Sequence, residues 1–433
     1  MLNTERLLCE RVLFVEQLRI RGGVPLSGEI AVHGAKNSSL PLLAATILGK
    51  SQSVLHNCPC LSDVDAAIRI LSYLGCAVER SGDTVCVDTS QLTHFDVPED
   101  LMREMRSSIV FLGAIAARLG KTRISFPGGC ELGPRPIDLH LSSLRALGLS
   151  IREDHGFLEC EVNGRLKGAS ISLAFPSVGA TENILLAAAT AEGTTQILNA
   201  AQEPEIIDLA EFLNACGAKI SGAGKSTVVI EGVEELHGAE HTVIPDRIVA
   251  ATYLCCAAAT GGEILVRRVR PDDIAGILPV LEQTGCRIYT GEQSVYLKAP
   301  GQLKPVKSVR TMPYPGFPTD AQAPVMSLTA LADGTSVFVE NIFENRYKHV
   351  AELARMGADI KVEGKVAVVS GVRTLYGAGV DATDLRGGAA LIVAGLAAEG
   401  ETVVSRIHHI DRGYEQIETS LRSLGAQVER RPG

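Results

Sequence analysis

The chain has 433 residues, more than a single hydrophobic core usually serves, so two domains are expected. Hydrophobic residues make up 46% and charged residues 21%, an ordinary globular balance that excludes a disordered or fibrous chain. A net charge of −9, no tryptophan and 4% aromatic residues exclude a general nucleic-acid or anionic-membrane binder, while leaving room for a local basic pocket that takes a phosphorylated ligand.

The first segment, MLNTERLLCERVLF, carries Glu and Arg throughout and is not expected to be a secretory signal. Residues 1–14 read as an extra N-terminal tail, and EQLRIRGG after them reads as a strand. From Lys36 onward a unit repeats: a small-residue apolar helix, a Gly or polar break, a β-branched strand, a second helix, then a hairpin-like pair of alternating strands. Helix and strand run as LPLLAATILG then SVLHN, ENILLAAATAEG then TQILN, and AALIVAGLAAEG then TVVSRI; hairpins run as AVERSGDTVCVD, KISGAGKSTVVIEG and DIKVEGKVAVVSG. The end of the second helix carries the signal Leu-x-x-x-Gly six times, from Leu71 to Gly75, Leu144 to Gly148, Leu213 to Gly217, Leu281 to Gly285, Leu353 to Gly357 and Leu421 to Gly425. The glycines follow one another at 73, 69, 68, 72 and 68 residues, and Gly just past an apolar helix end takes the left-handed conformation without penalty. The sixth unit stops at AQVERRPG without its second strand, which EQLRIRGG is placed to supply.

The first helix of each unit is apolar almost all round and therefore buried on every side, while the strands alternate and leave one sheet face to solvent. This predicts an α/β protein of two inside-out barrels built from six βαβαββ-type repeats, helices inside and sheets outside. The expected division is residues 15–35 plus 245–433 as one domain and 36–244 as the other, with the chain crossing twice, near Gly34-Ala35 and near Ile244-Pro245. The apolar stretch Ile248 to Gly262 is too short to span a membrane. The eleven cysteines are odd in number and scattered, which suggests reduced thiols in a cytoplasmic protein, and their spacing offers no metal site.

The residues opening the buried helices carry the chemistry. Asn37 or Ser38, Thr181, Asp246 and Asp384 can cap first turns, and Pro41 and Pro324 are placed where a first turn tolerates proline. Lys36, Arg106 and Arg386 do not fit capping, because a cation at a helix N-terminus opposes the helix dipole. Three in related positions point to a shared anion, bound where N-termini face the gap between domains. In the loop from Pro127 to Pro136 (PGGCELGPRP), Cys130 lies among glycines and prolines with Arg135 nearby, a setting in which a thiol turns acidic and reactive, although the adjacent Glu131 opposes thiolate. Asp138 and His140 read as the start of the helix that follows. In YPGFPTD the prolines deliver Asp320 to a helix start, where cap and general base both remain open. No phosphate-binding glycine fingerprint is present.

Together GEIAVHGAKNSSLPLLAA, PGGCELGPRPIDLHL, PSVGATENILLAA, EPEIIDLAEFLNACGAKISG, IPDRIVAATYL, YPGFPTDAQAP, FENRYKHVAELARMGA and DLRGGAAL closely resemble the UDP-N-acetylglucosamine 1-carboxyvinyltransferase family, the enolpyruvyl transferases that open bacterial peptidoglycan synthesis. The resemblance runs from about Glu16 to the C-terminus and carries the inside-out barrel pair with it. It implies phosphoenolpyruvate and UDP-N-acetylglucosamine as substrates, with no cofactor and no metal. Lys36 would contact phosphoenolpyruvate with Asn37 beside it, and Arg106, Arg135 and Arg386 would surround the anionic groups. Cys130 would be the loop cysteine that donates a proton, forms an adduct with phosphoenolpyruvate and is alkylated by fosfomycin; its loop would be the lid. Asp320 would handle the sugar 3′-hydroxyl. Arg135, Pro136, Ile137, Asp138 and Leu139, then Ser177, Val178 and Gly179, and Ile342, match segments that hold the nucleotide sugar; Arg346, Glu203 and Asp246 match further family positions. Glu131 and Pro134 depart from the smaller or apolar residues expected beside the cysteine. The alternatives are an enolpyruvyl transferase acting on shikimate 3-phosphate, disfavoured by the lack of a GNAGT-type segment, and a non-catalytic paralogue that only binds the nucleotide sugar.

Overall fold

The computed structural model describes residues 16–126 and 137–433. Among these residues the strands form six four-stranded sheets, one per repeat, each around a helix that is buried along nearly its whole length. The Lys36–Thr46, Val178–Ala188, Arg247–Ala259, Thr319–Thr329 and Leu385–Ala397 helices expose almost none of their surface beyond the first residues, because small or apolar residues occupy every side. The second buried helix opens as a 3-10 turn over Arg106–Val110 before becoming α-helical over Phe111–Leu119. Around them the strands alternate, as in Thr227–Glu231 and Glu401–Ser405, where every second residue is buried.

The repeat signal has a uniform geometry. All six leucines of Leu-x-x-x-Gly are fully buried, and the six glycines Gly75, Gly148, Gly217, Gly285, Gly357 and Gly425 have φ between 91° and 103°. A side chain at that φ is strained, so glycine lets the chain leave each helix directly into its hairpin.

Two exchanges tie the ends of the chain together. Glu16–Arg21 lies between Glu401–Ser405 and Gln427–Pro432, antiparallel to both, with Leu18 opposite Val404 and Arg430. It takes the place that the second hairpin strand holds in the other sheets, as expected for EQLRIRGG. In four repeats a short edge strand precedes the buried helix and pairs in parallel with the strand after it, the helix serving as the crossover that parallel pairing requires. In the remaining two the edge strands are traded: Ser27–Ala31 pairs with Glu263–Arg267, and Glu240–Thr242 pairs with Gln52–His56.

The apolar side chains accordingly gather in two clusters, one drawn from residues 40–243 and one from 18–32 together with 249–428. The two segments passing between them lie side by side, with Gly34 bridged to Pro245, the Ala35 amide donating to Ile244 O (2.7 Å) and the Asp246 amide to His33 O (2.9 Å). No helix among the described residues is long and apolar enough to cross a membrane.

Candidate active site

The crossing brings two buried helices together at their N-termini. Asp246 caps its own helix through Oδ1, which accepts from the Ile248 and Val249 amides (2.9 and 3.0 Å), while Oδ2 accepts from the Lys36 amide (3.3 Å). One carboxylate thus serves two first turns that lie 210 residues apart. This is why the Lys36–Thr46 helix has no cap of its own. Ala35 occupies the cap position, and Ser38, one of the expected caps, instead donates its hydroxyl to buried Asp208. Asp384 caps as expected, accepting from the Arg386 and Gly387 amides. Thr181 does not cap: Ser177 accepts from the Ala180 amide, and Thr181 is turned to Ser177 O and the Ala201 amide. Pro41 and Pro324 are also corrected, for each is the sixth residue of its helix and so lies inside it rather than in the first turn.

Asp320, the second residue of the Thr319–Thr329 helix, is not a cap either. Its Oδ1 accepts from Arg346 Nη2 (2.8 Å) and its Oδ2 from Arg386 Nη2 (3.0 Å). Burial alone would raise its pKa, but Arg386, Arg346 and Lys36 outweigh burial and hold the carboxyl well below the usual range. Arg386 also donates to the Tyr414 hydroxyl (3.2 Å), and Arg346 to Thr319 O (3.0 Å). The two arginines are almost fully buried, so each is fixed by packing as well as by charge.

Lys36 joins the same cluster from the other apolar core. Its Nζ lies 3.2 Å from Asp63 Oδ2, and the field of Arg386 and Asp320 reaches it. The cations that oppose their helix dipoles therefore already have protein carboxylates beside them, Asp63 at Lys36 and Asp320 at Arg386. Arg346 sits 3.9 Å from Asp384, linking this group to a third first turn.

On the flank, Arg247 makes a two-pronged buried ion pair with Glu205 (3.0 and 3.3 Å), and the Tyr314 amide donates to Glu203 (3.4 Å). Burial, reinforced by Glu205 and Glu203, pushes the Glu182 carboxyl up to about 8, and burial also raises Glu203.

The segments matched to nucleotide-sugar contacts are also drawn together. Asp138 and Leu139 open the Asp138–Ala146 helix directly after Ile137. His140, two residues on, accepts at Nδ1 from Asn183 Nδ2 (2.8 Å), and a Cβ on Gly179 would lie 2.9 Å from the His140 ring. This places Ser177, Val178 and Gly179 against that helix. Ile342 is tied to Asp320 through Glu340: Glu340 Oε1 accepts from the Ile342 and Phe343 amides (2.8 and 3.0 Å), and Oε2 accepts from the Thr319 hydroxyl (3.0 Å). Asn37 is half-buried in the first turn beside Lys36. Cys130, Glu131, Pro134, Arg135 and Pro136 lie outside the described residues, as do residues 1–14 and the side chain of Arg106.

Three participants escape the sequence reading. Asp63, Glu340 and Arg412 act through partners 27, 21 and 349 residues away, with no local motif to mark them. Only Arg412 leaves a trace, as a cation in the turn-rich stretch IDRGYE.

The comparisons bear on the fold and the family. Residues 20–421 match the family described as EPSP synthase (3-phosphoshikimate 1-carboxyvinyltransferase). UDP-N-acetylglucosamine 1-carboxyvinyltransferase 2 of Caldanaerobacter subterraneus subsp. tengcongensis is 53% identical, over 96% of this chain and 99% of its own. The UDP-N-acetylglucosamine 1-carboxyvinyltransferase of Yersinia pestis is 48% identical, over 97% and 100%. Among solved structures, the enolpyruvyl transferase NikO from Streptomyces tendae superposes with a TM-score of 0.87 at 27% identity, covering 97% of this chain and 99% of its own. EPSP synthase from Acinetobacter baumannii shares the fold at a TM-score of 0.74 and 18% identity, over 96% and 100%. With its two helix-filled, sheet-walled barrels and near full-length identity of about half to the carboxyvinyltransferases, this chain belongs to the EPSP synthase family of enolpyruvyl transferases.

Proposed function

We propose that the protein transfers the enolpyruvyl group of phosphoenolpyruvate to the 3′-hydroxyl of UDP-N-acetylglucosamine and releases phosphate, in the cytoplasm, as the first committed step of peptidoglycan synthesis. The observation that carries this reading is the convergence of Lys36, Asp320, Arg346 and Arg386, at or near helix N-termini drawn from both apolar cores. The nucleotide sugar rather than shikimate 3-phosphate is favoured by relatives at 48–53% identity that carry the former name, against 18% for an EPSP synthase structure.

The chemistry is addition followed by elimination. A proton goes to the methylene carbon of phosphoenolpyruvate, making it a methyl group, and the sugar oxygen bonds to C2 as its proton leaves; the methyl group then gives up a proton, the C2–O bond to phosphate breaks, the methylene re-forms, and phosphate departs carrying the proton that the reaction sets free. Carboxylate and phosphate bring several negative charges, which Lys36 and Arg386 meet in a buried site where such interactions are strong. Asp320 is the acceptor for the hydroxyl proton. While both its oxygens are held by arginines it is a weak base; an arriving anion competes for Arg386 and returns basicity to it. Cys130 takes the part of proton donor on the strength of its loop motif, with Arg106 and Arg135 on the anions. Ile137 to Leu139, Ser177 to Gly179 and Ile342 line the nucleotide-sugar end. The two domains, residues 15–35 plus 245–433 and 36–244, close on the ligands and align the two substrates.

The test is release of inorganic phosphate from phosphoenolpyruvate with each acceptor in turn. Turnover is expected with UDP-N-acetylglucosamine alone. Turnover with shikimate 3-phosphate instead would overturn the acceptor, and none with either, from protein that still binds the nucleotide sugar, would identify a non-catalytic paralogue.

A further inference from the structure

We propose that the seam between the two cores carries a proton-operated latch: Glu182, Glu203 and Glu205 of the first core face one cation of the second, Arg247, and hold the cores together while the carboxyls that Arg247 does not pair keep their protons. The inference goes beyond the functional reading above and does not rest on it, since it concerns the contact between the cores and not what is bound there.

The groups come from both cores. Glu203 precedes the Pro204–Ala215 helix, Glu205 lies in its first turn, and Glu182 lies in the Val178–Ala188 helix packed beside it, all in the segment that builds the first core. Arg247 opens the Arg247–Ala259 helix of the second core. Its Nε and Nη2 are both committed to Glu205, and its guanidinium carbon sits 5.6 Å from the centre of the Tyr314 ring. Tyr314 donates its amide to Glu203 Oε1 (3.4 Å) and its hydroxyl to Asp272 O (3.1 Å). The contact therefore has two strands, Glu205 to Arg247 and Glu203 to the Tyr314 main chain, and both cross from one core to the other.

Charge is out of balance here. All three glutamates are buried, and one guanidinium answers them. Glu203 Oε2 is buried without a hydrogen-bond partner, and Glu182 meets only like charge, from Glu205 and Glu203. Asp273 adds a fourth carboxyl from the second core. Burial pushes it up to about 6; Arg270 and Arg247 oppose the rise, and Glu205 and Asp272 add to it. Burial likewise raises Glu203 against the pull of Arg247 and the Tyr314 amide. Asp320 also acts on Arg247. The Asp138–Ala146 helix, which packs on Val178–Ala188 as well, turns its His140 to Asn183 and not to Glu182.

A buried carboxylate without a partner is costly, so these acids stay protonated while the seam excludes water. Parting the cores lets water in and lets them ionise. The joined form thus binds more protons than the parted one. For Glu182 that advantage is complete below the ordinary glutamate value of 4.5 and is lost as pH rises through about 8. The Asp273 share is lost earlier, by about pH 6.

Because the chain has no tryptophan, Tyr314→Trp places a lone fluorescent reporter at the seam, against Arg247. Its emission is followed from roughly pH 6 to 9, with circular dichroism confirming that the protein stays folded. The emission is expected to move to the red as water arrives, with its midpoint near the Glu182 value of about 8. In Glu182→Gln on the same background the amide cannot ionise, and the red shift is expected to shrink about twofold or more. Small-angle scattering on the protein with Tyr314 intact gives the second measurement and decides alone should Tyr314→Trp not fold. The radius of gyration is expected to grow over the same pH range, and to grow less in Glu182→Gln. A radius that does not change with pH overturns the latch, even with a red shift, since the carboxyls would then ionise at a seam that stays shut. Equal changes with and without Glu182→Gln overturn it too.

Discussion

Glu182 is a carboxylic acid kept neutral near pH 7 by its surroundings. It sits in the second turn of a buried helix, 8% exposed, with Glu203 and Glu205 close by and Arg247 already committed to Glu205. Its pKa of about 8, against 4.5 for a free glutamate, means that the folded protein keeps a proton that the unfolded chain gives up as pH rises. Stability from this group is therefore complete below pH 4.5 and is lost progressively up to about pH 8. Glu182→Gln removes the penalty. Its melting temperature is expected to match the unaltered protein at pH 4 and exceed it by several degrees at pH 8, at roughly 2–4 °C per kcal/mol for domains of this size. Equal melting at both pH values would show that Glu182 ionises freely. Residues of this kind mark what a sequence reveals at this scale. Lys36 and Arg386 stand out because their sign is wrong for a helix start, whereas Asp63 carries the sign that a first turn favours and Glu182 lies past the first turn of its helix. Their importance comes from partners that only the fold supplies.

At the scale of the element, the six helix-end glycines were legible because six equivalent turns impose the same φ and the spacing records it. The turns differ in what surrounds them. At Gly148 a Cβ would meet nothing within 4 Å, so Gly148→Ala isolates the left-handed backbone cost of about 1–2 kcal/mol. At Gly75 the same atom would lie 2.8 Å from both Gln91 O and Thr93 Oγ1, because residues 93 and 94 fold back to bond Leu74 O (3.0 and 3.1 Å). Gly75→Ala must pay the backbone strain and displace that segment as well. Both sites belong to the same apolar cluster, so their urea midpoints can be compared directly. Gly75→Ala is expected to lose at least twice the stability of Gly148→Ala; equal losses would mean that the Gln91–Thr93 segment yields without cost. Caps were less legible than turns. Asp246 and Asp384 cap locally and were readable, but the first turn at Lys36 is completed by a carboxylate from a helix in the other half of the chain.

For the molecule as a whole, the decisive feature is that two connections run through one narrow place. The repeat count and the missing sixth strand made the closure by Glu16–Arg21 readable, since an unpaired sheet position had one candidate to fill it. The trade of edge strands between Ser27–Ala31 and Glu240–Thr242 was not readable, because both segments are short and either could pair with either sheet. That trade forces the two connections to pass in contact, and Gly34 there has no room for a side chain: a Cβ would overlap the carbonyl of Asn57. Asn57 cannot simply retreat. Its side chain donates to Val243 O (2.8 Å) on the returning connection and accepts from Arg268 (2.8 Å) in the second core. Gly34→Ala is therefore expected to part the Gly34–Pro245 bridge and free the two cores to reorient, since the methyl group has no other space. Small-angle scattering should show a larger radius of gyration and turnover should fall at least tenfold, while hydrogen exchange in the Leu385–Ala397 helix stays slow because each core keeps its own packing. Unchanged scattering with turnover within a few-fold would mean that the crossing merely links the two cores, and that the convergence of Lys36, Asp320 and Arg386 is set by the cluster's own ion pairs.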